Sequence, residues 1–206
     1  MNLKINKKKF IYLISPNKIT TTFFKDLNLV LKTGKVSFFQ LRLKNYSQNK
    51  KAMIGKKIKN ICKKNKVKFI INDDPLLALK LNADGCHLGQ KDMDIKKAKK
   101  IVGKKIIGIT CHNSINLAKK AIKAKADYIA FGAFNQSKTK KTRYTASIKI
   151  LNKVKKFTKT PIVVIGGINE VNYKNLLLNK ANFLAISGYI WKNKKYKPLQ
   201  AIERLK

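Results

Sequence analysis

The stretch KFIINDDPLLALKLNADGCHLG, residues 68–89, sets two short apolar runs on either side of a helix-like segment. KFIIN (68–72) and GCHLG (85–89) have the length and content of buried strands, and PLLALKLNA (75–83) opens on a proline behind an aspartate pair, a helix-start signal. Near-continuous apolar strands separated by helices are what a parallel sheet covered on both faces requires. The same alternation runs outward in both directions. FIYLIS (10–15) and VSFFQLRL (36–43) precede it, and IIGIT (106–110), YIAFGAF (128–134), PIVVIGG (161–167) and FLAISGYI (183–190) follow. Between them lie TTFFKDLNLVLKTG, QNKKAMIGKKIKNICKKNK, DIKKAKKIVG, SINLAKKAIKAKA, TASIKILNKVKKFT and EVNYKNLLLNKA, with KPLQAIERLK at the end. Eight strand–helix units most simply close into a (β/α)8 TIM barrel, a single α/β domain over residues 1–206; a doubly wound open sheet is the alternative from pattern alone.

Composition agrees with one sizeable core. The chain has 206 residues, 44% of them hydrophobic, and no apolar run near the roughly 18 residues of a membrane span. The N-terminal MNLKINKKKFIYLIS is basic and then apolar, as in a signal peptide, but the apolar part is short, lacks a small-residue cleavage pattern and runs into SPNK. It reads as a first strand, and the expected location is the cytoplasm. Cys62, Cys86 and Cys111 form no C-x-x-C pair, which argues against a disulfide framework or a cysteine zinc site. The formal net charge is +39, a value that suggests nucleic acid. Yet nearly all of the excess is lysine, with only Arg42, Arg143 and Arg204, spread over presumed helix faces rather than clustered with aromatics. Solvated surface is the simpler reading, nucleic acid is not an expected partner, and a nucleic-acid-binding protein on this barrel stands as a distant alternative.

Barrel enzymes carry their chemistry at the C-terminal ends of the strands. There the second run offers Gln40, Arg42 and Lys44 in alternation, a cationic face or a solvated edge. Five of the nine acidic residues fall between Phe69 and Asp94. Asp74 and Asp94 read as helix caps. Asp73 and Asp92, beyond the third and fourth runs, stand at one rim, where two carboxylates suit a hard cation such as Mg²⁺. The loop after the sixth run supplies Ser137, Thr139 and Lys140, and IGGIN and AISGYI complete the position where barrels commonly bind phosphate.

Taken in order, YLIS, QLRLK, IND, ADGCHLGQKD, GITCH, GAFNQSKTK, IGGI and ISGYI resemble the thiamine-phosphate synthase family over nearly the whole chain. The resemblance implies Mg²⁺-dependent joining of 4-amino-2-methyl-5-(diphosphooxymethyl)pyrimidine to thiazole phosphate, carboxylated or not, with release of diphosphate. By position, Gln40, Arg42, Lys44, Asn72, Thr110 and Lys140 would bind the pyrimidine diphosphate. Arg42, Lys140 and Thr110 would bear on the chemical step. Asp73 and Asp92 would hold the metal, and Ser137, Thr139, Gly167, Ile186 and Ser187 would surround the thiazole phosphate. Small-molecule substrates, no membrane and room for a homo-oligomer are the implied associations. Thr110 replaces the family's usual Ser, Ser137 its usual Thr, and Gly188 a small Ala or Ser; AFNQSK lacks the usual proline. The related thiazole tautomerase branch is the second reading. It uses a His where His112 stands, but lacks the carboxylate pair and much of the cationic strand. His87 reads as structural.

Overall fold

Every apolar run becomes a strand of one parallel sheet in the computed structural model, which describes residues 9–135 and 144–206. The strands are β1 (Ile11–Ile14), β2 (Val36–Leu41), β3 (Lys68–Asn72), β4 (Gly85–Leu88), β5 (Ile106–His112), β6 (Tyr128–Gly132), β7 (Ile162–Ile165) and β8 (Phe183–Ile186). Helices α1 (Phe23–Lys32), α2 (Gln48–Lys64), α3 (Pro75–Lys80), α4 (Ile95–Val102), α5 (Ile115–Lys123), α6 (Ile148–Lys155) and α7 (Tyr173–Leu178) connect them. Two more helices, α8 (Gly188–Trp191) and α9 (Pro198–Glu203), follow β8. Each strand pairs with its sequence neighbours and β1 pairs with β8, so the sheet closes as the (β/α)8 barrel and has no edge. An open doubly wound sheet is thereby excluded.

Several strands, β2, β6, β7 and β8 among them, end earlier than the apolar runs suggest. At the end of β2 the side chain of Ser15 takes over the backbone of Arg42: its hydroxyl accepts from the Arg42 N–H at 2.9 Å and lies 3.3 Å from the Arg42 carbonyl. Arg42 and Lys44 therefore stand in the loop beyond the strand. After β8 the chain turns into α8, fastened to the top of β1 by Trp191 Nε1 donating to the Ile14 carbonyl at 2.7 Å. The run 128–134 stops pairing at Gly132.

Burial is two-sided, as closure demands. One face of the strands packs on the helices through residues such as Phe39, Phe69 and Phe131. The other fills the barrel with Tyr12, Phe38, Ile70, Tyr128, Val163 and Phe183, so the interior is a packed floor and not a pore. The Tyr128 ring lies across the barrel where β5 carries Gly108. A Cβ at that position would fall 1.8 Å from the ring.

A tripeptide repeats ahead of β4, β6 and β8. Asn82, Lys125 and Lys180 follow α3, α5 and α7 with left-handed backbone, φ 46°, 61° and 70°. The next residue, Ala83, Ala126 or Ala181, returns its N–H five residues back into the helix, at 2.9, 3.0 and 3.2 Å, as in a Schellman stop. The third residue turns its side chain to the neighbouring strand. Asp84 accepts from Phe69 N at 2.9 Å, Asp127 from Ile107 N at 2.9 Å and Asn182 from Ile162 N at 2.8 Å. Thus N-A-D, K-A-D and K-A-N each end a helix and fasten a strand start, on the barrel face where such residues serve stability. Asp74 and Asp94 are N-caps as expected, accepting from Leu77 N and Lys96 N, each at 2.8 Å. Among the described residues no helix is long and apolar enough to cross a membrane.

Gly108→Ala is expected to lower stability by at least about 2 kcal/mol through overpacking, roughly 4–8 °C in thermal midpoint for a chain of this size; calorimetry checks it.

Candidate active site

Strand register decides which residues meet at the C-terminal rim. Because Asn72 lies beside His87, the loops that leave β3 and β4 start at the same height. Asp73 carries the pairing one step further, its N–H donating to the His87 carbonyl at 2.8 Å, and does so in left-handed backbone at φ 63°. For a non-glycine residue that conformation costs on the order of 1 kcal/mol, and here no helix stop accounts for it. It directs the Asp73 carboxyl to Asp92. In the loop after β4, Asp92 folds back so that its Oδ2 accepts from Gly89 N at 2.7 Å. A Cβ on Gly89 would sit 2.8 Å from that oxygen, so the glycine makes the fold-back feasible.

Burial, then the neighbouring Asp92 carboxyl, pushes the Asp73 pKa up to about 6, against the opposing pull of Lys44 and Arg42. Lys44 Nζ lies 3.7 Å from Asp73 Oδ2. The rim thus gathers two acids and two bases within one patch. Gln90, from the same loop, donates to the Thr110 carbonyl at 2.5 Å and ties the loop to β5.

Below the rim the barrel interior is polar along one line. Gln40 is 2% exposed, on the inner face of β2. Its amide nitrogen is buried and has no hydrogen-bond partner among the described residues. In a closed barrel there is no edge for it to occupy, so the solvated-edge reading of Gln40, Arg42 and Lys44 is withdrawn: Gln40 faces inward and the two bases crown the rim. A buried donor without an acceptor costs about 1–3 kcal/mol, which a ligand acceptor would recover. Across from it His87 places Nδ1 2.9 Å from the Tyr128 hydroxyl and Nε2 2.8 Å from the Thr110 hydroxyl. Burial pushes its pKa down to about 4, so the ring is neutral at pH 7. His87 thus ties Tyr128 to Thr110, a candidate site residue.

The opposite side of the mouth is built from backbone. Gly166 and Gly167 turn beyond β7 with φ 113° and 57°, and a Cβ on Gly166 would meet the Ala133 Cβ at 2.5 Å. Asn135 N donates to the Gly166 carbonyl at 3.2 Å. Ile186, 2% exposed, ends β8; the Ser187 hydroxyl donates to the Ser15 carbonyl at 3.2 Å, and the Ser187 carbonyl accepts from Ile190 N and Trp191 N at 3.1 and 3.0 Å. Ser137, Thr139 and Lys140 lie outside the described residues. The chain returns at Tyr144, whose ring stacks on His112 with centroids 4.1 Å apart. Nothing in the sequence singles out Tyr144 as a rim residue, since a contact between two loops creates the role.

With the site laid out, the kinship of the chain is plain. Residues 11–190 match the family model described as thiamine monophosphate synthase. The chain belongs to this family. It is 70% identical over 204 residues to the thiamine-phosphate synthase of Pelagibacter ubique (strain HTCC1062), covering 98% of each chain. It is 38% identical to that of Erythrobacter litoralis (strain HTCC2594), over 93% of this chain and 92% of the relative. Among solved structures, the thiamine phosphate pyrophosphorylase from Pyrococcus furiosus superposes with a TM-score of 0.84 at 27% identity, covering 96% of this chain and 94% of that one. The family expected from the motifs is the family found.

For a thiamine monophosphate synthase family member the rim is sparing in ligands. No group of three or more His, Cys, Asp and Glu that could hold a metal occurs among the described residues. A cation between Asp73 and Asp92 would take two protein carboxylates and draw its other oxygens from substrate or water, the pattern that Mg²⁺ prefers. The pair fits such an ion, because two acids this close need a counter-charge beyond a lysine 3.7 Å away.

The raised Asp73 pKa fixes a sign. A carboxyl that is harder to ionise in the folded state favours folding below its unfolded pKa of roughly 4 and loses that contribution as pH rises through about 6. Asp92→Asn removes the neighbouring charge. In metal-free buffer it is expected to raise the thermal midpoint at pH 7.5 by about 2–4 °C, or about 1 kcal/mol after solvent screening, and by much less at pH 4. Melting curves at the two pH values check it.

Proposed function

We propose that this chain is a thiamine-phosphate synthase that joins 4-amino-2-methyl-5-(diphosphooxymethyl)pyrimidine to thiazole phosphate and releases diphosphate. One observation carries the reading: Asp73 and Asp92 meet at the same rim patch as Arg42 and Lys44, above the buried amide nitrogen of Gln40, which has no hydrogen-bond partner among the described residues. Acids for a cation, bases for an anion and an inward-facing amide for a heterocycle suit a substrate that is a ring at one end and a diphosphate at the other.

The reaction asks little covalent work of the protein. The bond between the pyrimidine methylene and the diphosphate oxygen breaks, and its electron pair leaves with the diphosphate. The aminopyrimidine spreads the resulting positive charge, and the lone pair of the thiazole nitrogen forms the new C–N bond. Mg²⁺, held by Asp73 and Asp92, would neutralise charge on the diphosphate. Arg42, Lys44 and Asn72 would bind the diphosphate oxygens, with Lys140 joining them from the loop after β6. Gln40 and Thr110 would position the pyrimidine, and the methyl of Thr110 narrows its rotamers relative to serine. Ser137 and Thr139, with the backbone of Gly167, Ile186 and Ser187, would hold the thiazole phosphate in line. Positioning and charge stabilisation in a water-excluding mouth are the contributions that matter for such a step.

Diphosphate release is therefore expected only with both substrates and Mg²⁺ present, and EDTA abolishes it. Arg42→Ala and Asp92→Ala are each expected to lower kcat by about a hundredfold or more, on the order of 3 kcal/mol of barrier. Isomerisation of a thiazole carboxylate phosphate that survives EDTA, with no diphosphate release, would move the chain to the tautomerase branch.

A further inference from the structure

The barrel floor and the rim are joined by one chain of hydrogen bonds. Tyr12 Oη lies 2.7 Å from Tyr128 Oη, Tyr128 Oη 2.9 Å from His87 Nδ1, and His87 Nε2 2.8 Å from Thr110 Oγ1. The four residues come from β1, β6, β4 and β5, and the line climbs from the aromatic floor to the mouth.

Counting hydrogens gives this chain a direction. Both ring nitrogens of His87 face hydroxyls and neither faces a carboxylate that would hold an imidazolium, so the ring is neutral: one nitrogen donates and the other accepts. If Nδ1 carried the hydrogen it would donate to Tyr128, Tyr128 would donate to Tyr12, and the Tyr12 hydrogen would need an acceptor. There is none: among the described residues the Tyr12 hydroxyl meets only Tyr128, in surroundings of Ile14, Phe38, Ile70 and Ala185. Tyr12 is 2% exposed. The opposite order leaves no buried hydrogen unused. Tyr12 donates to Tyr128, Tyr128 donates to Nδ1, and Nε2–H donates to Thr110. Leaving a buried donor unmatched costs more than leaving a spare lone pair on an oxygen, so the second order prevails.

The consequence falls on Thr110. With its oxygen accepting from His87, its own hydrogen is free to point elsewhere, and Thr110 Oγ1 has no other hydrogen-bond partner among the described residues. We propose that Tyr12, Tyr128 and His87 are positioning residues that hold Thr110 as a hydrogen-bond donor at the mouth, and that they select a pyrimidine presenting an unprotonated ring nitrogen there. A 4-aminopyrimidine has such a nitrogen next to its amino-bearing carbon. A 4-oxopyrimidine in its usual tautomer carries N–H at that place, and would meet donor with donor. The assignment of the ring to this position rests on the synthase reading above; the direction of the relay does not.

The test separates the two. The chain has two histidines, so ¹⁵N–¹H correlation spectra of the ligand-free, histidine-labelled protein, assigned with a His112→Gln variant, show which nitrogen of His87 is protonated. Protonated Nε2 is expected, and protonated Nδ1 overturns the relay. Two variants then remove one hydroxyl each from the same buried floor. Tyr12→Phe keeps Tyr128 donating to Nδ1 and is expected to leave the tautomer unchanged. Tyr128→Phe removes the donor to Nδ1 and is expected to give a mixture of tautomers. It is also expected to reduce the preference for 4-amino over 4-oxo pyrimidine diphosphate, measured as a ratio of kcat/KM, by about tenfold. Two variants with the same tautomer and the same selectivity would reduce the hydroxyls to packing and overturn the proposal. Absence of diphosphate release from either pyrimidine in the wild type would overturn the pyrimidine assignment together with the synthase reading, while the spectra still decide the relay.

Discussion

The structure depends on the eight strands running in one direction and closing on themselves. Closure by β1 and β8 leaves no edge, so every strand backbone is satisfied laterally and both faces must be apolar. Apart from Gln40 and the Tyr12–Tyr128–His87–Thr110 line inside the barrel, polar residues are driven to the two rims, which differ because all the strands share one polarity. At the lower rim Asp84, Asp127 and Asn182 accept backbone N–H groups and hold strand starts in place. At the upper rim Asp73 sits in left-handed backbone against a second carboxyl. The lower acids relieve the structure, whereas the upper acids strain it. A protein retains such strain where something outside the fold makes use of it.

A solid interior gives the upper rim its shape. The Tyr128 ring crosses the barrel over Gly108, and with Tyr12, Phe38 and Phe183 it fills the lower part. What stays open is the space above, bounded by Gln40 on one side, Thr110 on another and the Gly166–Gly167 turn on a third. The floor both closes the barrel from below and reaches the mouth through His87, so packing and recognition share side chains.

Much of this was legible in the sequence. Eight apolar runs spaced by helices are a strong pattern because burial on both faces leaves no room for polar alternation, and the acidic pairs sorted correctly into caps (Asp74, Asp94) and rim (Asp73, Asp92). The ends of strands were less legible. Arg42 leaves β2 because the side chain of Ser15, just beyond β1, satisfies its backbone, and no local pattern announces that. The inward orientation of Gln40 follows from closure and not from its neighbours in sequence. Tyr144 reaches His112 only through the fold. The recurrence of N-A-D, K-A-D and K-A-N ahead of β4, β6 and β8 could have been found as an internal repeat, since each copy does the same two jobs. Ser137, Thr139 and Lys140 lie outside the described residues, so their place in the site stays an inference from the motif.

The disposition of the few acids bears on how copies of the molecule meet. Asp74, Asp84, Asp92, Asp94 and Asp127 are tied to backbone groups, Asp73 pairs with Lys44, and Glu170 pairs with Arg204. Nine acidic residues against 48 Lys and Arg leave exposed lysines such as Lys56, Lys57, Lys63, Lys96, Lys100 and Lys119 on the outer helix faces without counter-charge. The barrel therefore wears a like-charged coat whose reach is the Debye length, about 10 Å at 0.1 M salt and about 3 Å at 1 M. Its colloidal behaviour is set by ionic strength: dilute buffer holds molecules apart, and concentrated salt lets their surfaces touch.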